Sequence, residues 1–502
     1  MALRFNIAAN YASQFYAAAV GILLVPVYIN LMGAEAYGLV AFFLLLQSLF
    51  QLLDAGLTAT MTRETARYQG GACDALTLRN LLRSLEILFW AVGGAAAIGM
   101  ALASPAIASR WLNVTALTSE AVTAALVVMA FTLAIRWICG LYRGVISGLE
   151  RQVWLAFFNM AVVTARFVGV VPVLLFIDAR PMTFFLFQAF VSGIELTVLV
   201  TFSYSLVPLP GGTRAKGSWR ALRSIVRFAG IVAFTSCAWV LVTQTDKLLL
   251  SRLLSLEDYG YFTAAVLVAS GITLLGSPIA QALLPRLTRL SAEANDEGLF
   301  RTYRQATQAV VAIAGSSAVV LAAFAEEVLW VWTGDRQFAS RYASVVALYA
   351  AGNALLASAA FPYYLQYAKG DLRLHLWGNA VFLVLLIPAI IAATSWYGAI
   401  GAAAVWAGTN ALFFLGWTPL VHHSFAPGFH GRWLRDILAT ATFPLLLGVA
   451  IARLPHWSMG RVAQAVFIIV VLCGMIAVAL FRAALLRPQI SSMLSRWAVL
   501  SR

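Results

Sequence analysis

Two ionisable residues lie where an apolar chain has least reason to hold them. Arg166 falls near the middle of the hydrophobic run from Trp154 to Ile177, and Glu195 near the middle of the next, from Met182 to Val207. An ionised side chain at mid-bilayer costs roughly 2.5 to 3.5 kcal/mol even on lenient insertion scales, so one that stays there has a partner, a wet cavity or a task. The two runs are joined by the short turn Asp178 to Pro181 and must pass antiparallel, which brings both charges to one depth. They are expected to pair or to share a polar cavity. Two readings follow: an ion pair that fastens two helices, or a cavity wall in which Arg166 faces an anion and Glu195 carries a coupling proton.

Neutral polar groups add to the candidates. Gln51, Gln188, Asn353 and Asn379 lie within or beside apolar runs, and Asp54 stands in Leu53-Asp-Ala-Gly-Leu57 near the end of one. Together with Arg166 and Glu195 these are the residues expected to line a cavity. Asp54, Glu86, Arg136 and Asp246 also read as helix-end or interhelical contacts. No residue reads as catalytic and no Cys/His set has metal spacing. The phosphate-cradling GxxxxGK[ST] and the zinc motif HExxH are both missing, so an ATP-driven pump is not expected. Cys73, Cys139, Cys237 and Cys473 read as free thiols. Asn113-Val114-Thr115 matches a glycosylation triplet in an outer loop, a pattern common by chance.

The elements that position these groups are membrane spans. Hydrophobic residues make up 62% of the 502, charged residues 11%, and mean hydropathy is +0.86, which no water-soluble surface can accommodate. The net charge of +14 comes mainly from arginines between apolar runs, so it points to anionic lipid headgroups and not to nucleic acid. About fourteen runs are long enough to span a bilayer. The first, Phe5 to Met32, reads as a retained span. If the N-terminus is cytoplasmic, about 25 Lys and Arg fall on that side against about 8 on the other. Both termini are therefore expected in the cytoplasm.

The chain also repeats itself. At an offset of 222 residues, Leu31 to Arg67 meets Leu253 to Arg289 without a gap, with Glu35, Tyr37 and Gly38 falling on Glu257, Tyr259 and Gly260. The same offset carries Gly148 and Arg151 onto Gly370 and Arg373. An even number of spans per copy gives parallel repeats related by an axis along the membrane normal. The expected architecture is all-α: a first lobe of six helices over residues 1–207, a linker with an interfacial helix over 208–224, a second six-helix lobe over 225–421, and two extra helices with a cytoplasmic tail over 422–502. Arg220, Arg223 and Arg227 would share one face of the interfacial helix.

The motifs Gly33-Ala-Glu-Ala-Tyr-Gly38, Leu53-Asp-Ala-Gly-Leu57 with Arg63, Gly144-Val-Ile-Ser-Gly-Leu-Glu-Arg151 with Asn159, and Asp246-Lys-Leu-Leu-Leu250 through Leu284-Pro285 resemble polysaccharide transporters of the multidrug/oligosaccharidyl-lipid/polysaccharide (MOP) superfamily. The resemblance covers essentially the whole chain. It implies MATE-like lobes and a Wzx-type flippase that is not an enzyme. Such a flippase carries an undecaprenyl-pyrophosphate-linked oligosaccharide, an O-antigen or other polysaccharide repeat unit, to the periplasmic leaflet of a bacterial inner membrane. It also implies membrane lipids and polysaccharide polymerase machinery as partners, alternating access, no bound cofactor, and proton or sodium as coupling ion, with Glu195 the coupling candidate. A cation-coupled multidrug (MATE) antiporter is the nearest rival, although many of those carry an acidic residue in the first span and Phe5 to Met32 has none. A membrane-embedded polymerase or glycosyltransferase would need a long outer loop of catalytic residues. No loop here exceeds about 25 residues, too short for a soluble domain.

Overall fold

The computed structural model describes residues 2–54, 56–208, 215–217, 237, 239–452, 460–483 and 485. These residues are almost wholly helical. Among them no strand forms, and a single bridge pairs Asn113 with Ser255. Among the described residues twelve helices are long and apolar enough to cross a membrane. One of the twelve, Arg373–Phe425, runs two expected spans together across Gly398, whose φ of 57° interrupts the helix. The expected seventh span and the interfacial helix around Arg220, Arg223 and Arg227 lie largely outside the described residues.

The chain forms two compact units, residues 1–260 and 261–502. Unit 1 contains α1 (Ala2–Met32), α2 (Ala34–Phe50), α3 (Leu57–Gln69), α4 (Ala75–Ala106), α5 (Ser119–Gly148), α6 (Gln152–Val163), α7 (Val170–Phe176), α8 (Pro181–Leu206) and α9 (239–253). It ends within α10 (Leu256–Ala292). Its backbone is α5, packed on α3, α4 and α8. A glycine stripe on α5 lets α3 approach closely: a Cβ at Gly144 would lie 2.9 Å from the Thr58 carbonyl, and one at Gly148 2.5 Å from that of Thr62. Membrane helices associate by such close contact because lipid gives them no hydrophobic drive. On the α4 side, Phe89 stacks on Trp137 at 4.3 Å within a core that includes Leu85, Leu141 and Val145.

Unit 2 continues with α11 (Asp296–Val310), α12 (Ser316–Ala323), α13 (Ala325–Thr333), α14 (Arg336–Ala359), α15 (Phe361–Lys369), α16 (Arg373–Leu412), α17 (Thr418–Phe425), α18 (His430–Ala452) and α19 (Arg461–Arg482). The two extra helices, α18 and α19, pack on α12. An ion pair between Arg304 and Asp436 ties α18 to α11, and the Trp433 indole N–H donates to Thr307 Oγ1 at 3.1 Å.

Candidate functional site

The mid-span charges meet in unit 1. Thr164–Val168 forms a π-helical turn between α6 and α7, a distortion that turns Arg166 toward α8. There Arg166 Nη2 bonds to the Glu195 carboxylate and lies 3.3 Å from Ser192 Oγ. The expected pairing is therefore present, and it is part of something larger. The other oxygen of Glu195 accepts from Arg143, whose second Nη donates to Asn159. Arg136, two turns before Arg143 on α5, donates Nε to Ser192 Oγ at 3.1 Å, one Nη to Gln47 at 2.7 Å and the other to Gln188. Its guanidinium lies 4.7 Å from the Phe43 ring centroid. Gln188 passes a bond on to the Arg166 carbonyl at 2.8 Å.

Three guanidiniums thus surround one carboxylate. Glu195 is 2% exposed, while the Arg143 side chain keeps 28% of its surface and that of Arg166 13%. Arg136 has only neutral acceptors. The cluster carries an excess of positive charge in a low-dielectric setting, where each charge is felt strongly, and the Arg166 Nε–H has no acceptor within it. Guanidinium groups in this arrangement present flat, multi-donor forks suited to phosphate or carboxylate oxygens. Two further contacts brace the wall: Tyr16 OH with Thr164 Oγ1 at 2.6 Å, and Tyr28 OH to the Phe167 carbonyl at 2.7 Å.

Of the expected cavity residues, Arg166, Glu195 and Gln188 come together here. The others lie elsewhere. Asp54 accepts from the backbone and hydroxyl of Thr58 at the start of α3, and Gln51 is exposed on the turn before it. In unit 2 the Asn353 amide is spent on the Ala269 carbonyl and the Trp406 indole, and Asn379 pairs with His375. A hydropathy reading puts Arg136 near the end of a span and Arg143 beyond it, because a charge marks a boundary there. In the structure α5 continues to Gly148. The available signal was their i, i+7 spacing, which sets both on one helix face. Among the described residues no group of His, Cys, Asp and Glu could hold a metal ion.

A sequence profile described as polysaccharide biosynthesis protein matches residues 3–291. No curated protein sequence matches the chain. Three solved structures place the fold. A lipid II flippase, MurJ, in an inward closed conformation has 12% identity and a TM-score of 0.72, over 93% of this chain and 97% of that one. An inward-facing multidrug resistance MATE family transporter of the MOP superfamily has 17% identity and a TM-score of 0.64, over 83% and 96%. A MOP superfamily transporter from Pyrococcus furiosus has 17% identity and a TM-score of 0.54, over the same shares. At these identities the likeness speaks for the fold.

Proposed function

This chain belongs to the polysaccharide biosynthesis protein family, and on that premise we propose that it is a flippase for a lipid-linked oligosaccharide. Its substrate would be an undecaprenyl-pyrophosphate glycan, carried from the cytoplasmic to the outer leaflet of a bacterial inner membrane, where polymerising machinery would use it. The observation that carries this reading is the cluster of Arg136, Arg143 and Arg166 around the single carboxylate of Glu195. A glycan cannot cross hydrocarbon without a polar path, and its pyrophosphate needs cations on the way. Arg136 and Arg143 keep part of their surface accessible and can receive it. A phosphate that takes over the donors of Arg143 and Arg166 would free the Glu195 carboxylate from both of its ion pairs, which makes Glu195 the residue that would couple transport to an ion. Outward movement of the anionic head is downhill by about 2.3 kcal/mol per charge per 100 mV when the cytoplasm is negative. The two lobes would alternate access about this site.

The test is leaflet exposure of an undecaprenyl-pyrophosphate oligosaccharide in liposomes that contain the protein. Exposure well above protein-free liposomes is expected, together with indifference to small cationic drugs, which the excess positive charge disfavours. Cation-driven drug uptake without glycan exposure would instead select the multidrug antiporter.

Sidedness has its own check. Cys73 lies in the loop between α3 and α4, on the side assigned to the cytoplasm. Burial, with Glu64 nearby, pushes its thiol above the ordinary range, so less of it is thiolate at neutral pH and labelling should be run in alkaline buffer. With Cys139, Cys237 and Cys473 replaced by serine, a membrane-impermeant maleimide should label Cys73 only after the membrane is opened. Labelling in intact cells would invert the topology.

A further inference from the structure

A second set of contacts lies at the other end of unit 1, on the side assigned to the outside. The segment after α4 folds across the break between α9 and α10. The Trp111 indole N–H donates to Ser251 Oγ at 3.0 Å, and the Arg252 guanidinium lies over the Trp111 ring. Asn113 fills the break itself. Its side-chain amide donates to the carbonyls of Arg252 at 2.8 Å and Leu254 at 3.1 Å, and its backbone carbonyl accepts the Leu256 N–H at 2.9 Å. The next residues are held from the opposite direction. Both oxygens of Glu35 are used, accepting the backbone N–H groups of Ala116 at 2.7 Å and Leu117 at 2.9 Å and that of Thr115.

Beneath this strap α2 and α10 cross at two glycines. A Cβ at Gly38 would lie 2.1 Å from the Leu256 carbonyl oxygen, and one at Gly260 2.6 Å from that of Ala34 and 2.9 Å from the Gly38 nitrogen. Gly38 and Gly260 are the same position of the two sequence repeats. Segments of both repeats are therefore joined here, by backbone apposition below and by the Asn113 strap above.

The two layers differ in strength. The glycine crossing is buried and steric. The Asn113 side chain is exposed, so water competes for its two amide bonds, and such bonds contribute about 1 kcal/mol apiece net. Those bonds are weak enough to break and remake at working temperature.

We propose that Asn113 is a reversible latch: by plugging the break between α9 and α10 it keeps the outer ends of the two repeats together, and each transport cycle requires its release. The proposal rests on the alternating-access reading above. Its test is an N113C/S255C pair in a chain whose four native cysteines are serine, since these positions face each other in the one bridge. In liposomes, oxidation should lower glycan-lipid exposure by roughly ten-fold or more, and reductant should restore it. Hydrogen exchange supplies a readout that needs no substrate. Oxidation should slow exchange of the amides over 254–258 by about ten-fold, and Asn113→Ala, which keeps the backbone, should quicken it several-fold. Equal transport by the oxidised and reduced forms, or exchange unmoved by both changes, would overturn the latch. If even wild type exposes no glycan lipid, the flippase reading fails, and the exchange measurements still decide whether the latch opens.

Discussion

Arg136→Gln should lower transport of an anionic lipid-linked substrate by about 30- to 1,000-fold and leave thermal unfolding nearly unchanged. The two halves of that expectation have separate causes. Arg136 donates only to Gln47, Gln188 and Ser192, all neutral. Its charge is therefore not consumed inside the protein. A desolvated contact between such a charge and a phosphate is worth about 2–4 kcal/mol, which gives the stated range. For folding the balance differs, because Arg136 stands beside two like charges, Arg143 and Arg166, that already share the single carboxylate, and removing it relieves repulsion. Leaflet exposure rates, measured beside melting curves of the purified protein, separate the two. Normal transport by the variant would remove Arg136 from the substrate path.

Glu195→Gln, by contrast, should destabilise the fold itself by about 3–5 kcal/mol, because breaking a buried ion pair leaves its partners uncompensated. Here two guanidiniums, Arg143 and Arg166, lose their counter-charge at once while Arg136 remains close by. The measurement is the unfolding transition in detergent, extended to a double-mutant cycle with Arg166→Met. Removing both charges should recover part of the loss, since an apolar replacement for a buried pair is often neutral. Unfolding of Glu195→Gln at the wild-type temperature would mean that water, and not Glu195, carries the solvation of these arginines.

The spans were legible in the sequence because their signal is a property of composition over about twenty residues, and that signal survives local irregularity. The pairing of Arg166 with Glu195 was legible for a geometric reason, the short turn from Asp178 to Pro181 that fixes both at one depth. Arg136 and Arg143 were not. A hydropathy reading treats an arginine as the edge of a span and carries no information on which way its side chain faces, whereas the structure continues α5 through both. Asn353 illustrates the converse. Its type and position fit a cavity wall, yet its amide serves a backbone carbonyl and an indole within unit 2, a use that only packing reveals. Asn113 was visible as part of a chance-prone triplet, and nothing nearby in sequence foretold its partners, which lie about 140 residues away in the chain. The second repeat has no counterpart to the central charge: the offset that aligns the copies places Pro388 on Arg166.

That divergence sets off what happened at Gly38 and Gly260. At the central charge the two copies differ, one with a guanidinium where the other has a proline. At the crossing they are not independent. Each supplies the gap that the other's backbone occupies, so a methyl gained by either is felt by both, and neither position is free to change alone. The residues around them, from Glu35 and Tyr37 on one side to Glu257 and Tyr259 on the other, are also where the duplication is easiest to read in the sequence. The backbone crossing and the clearest match between the two copies thus fall on the same residues, and there a change in one copy is constrained by the other.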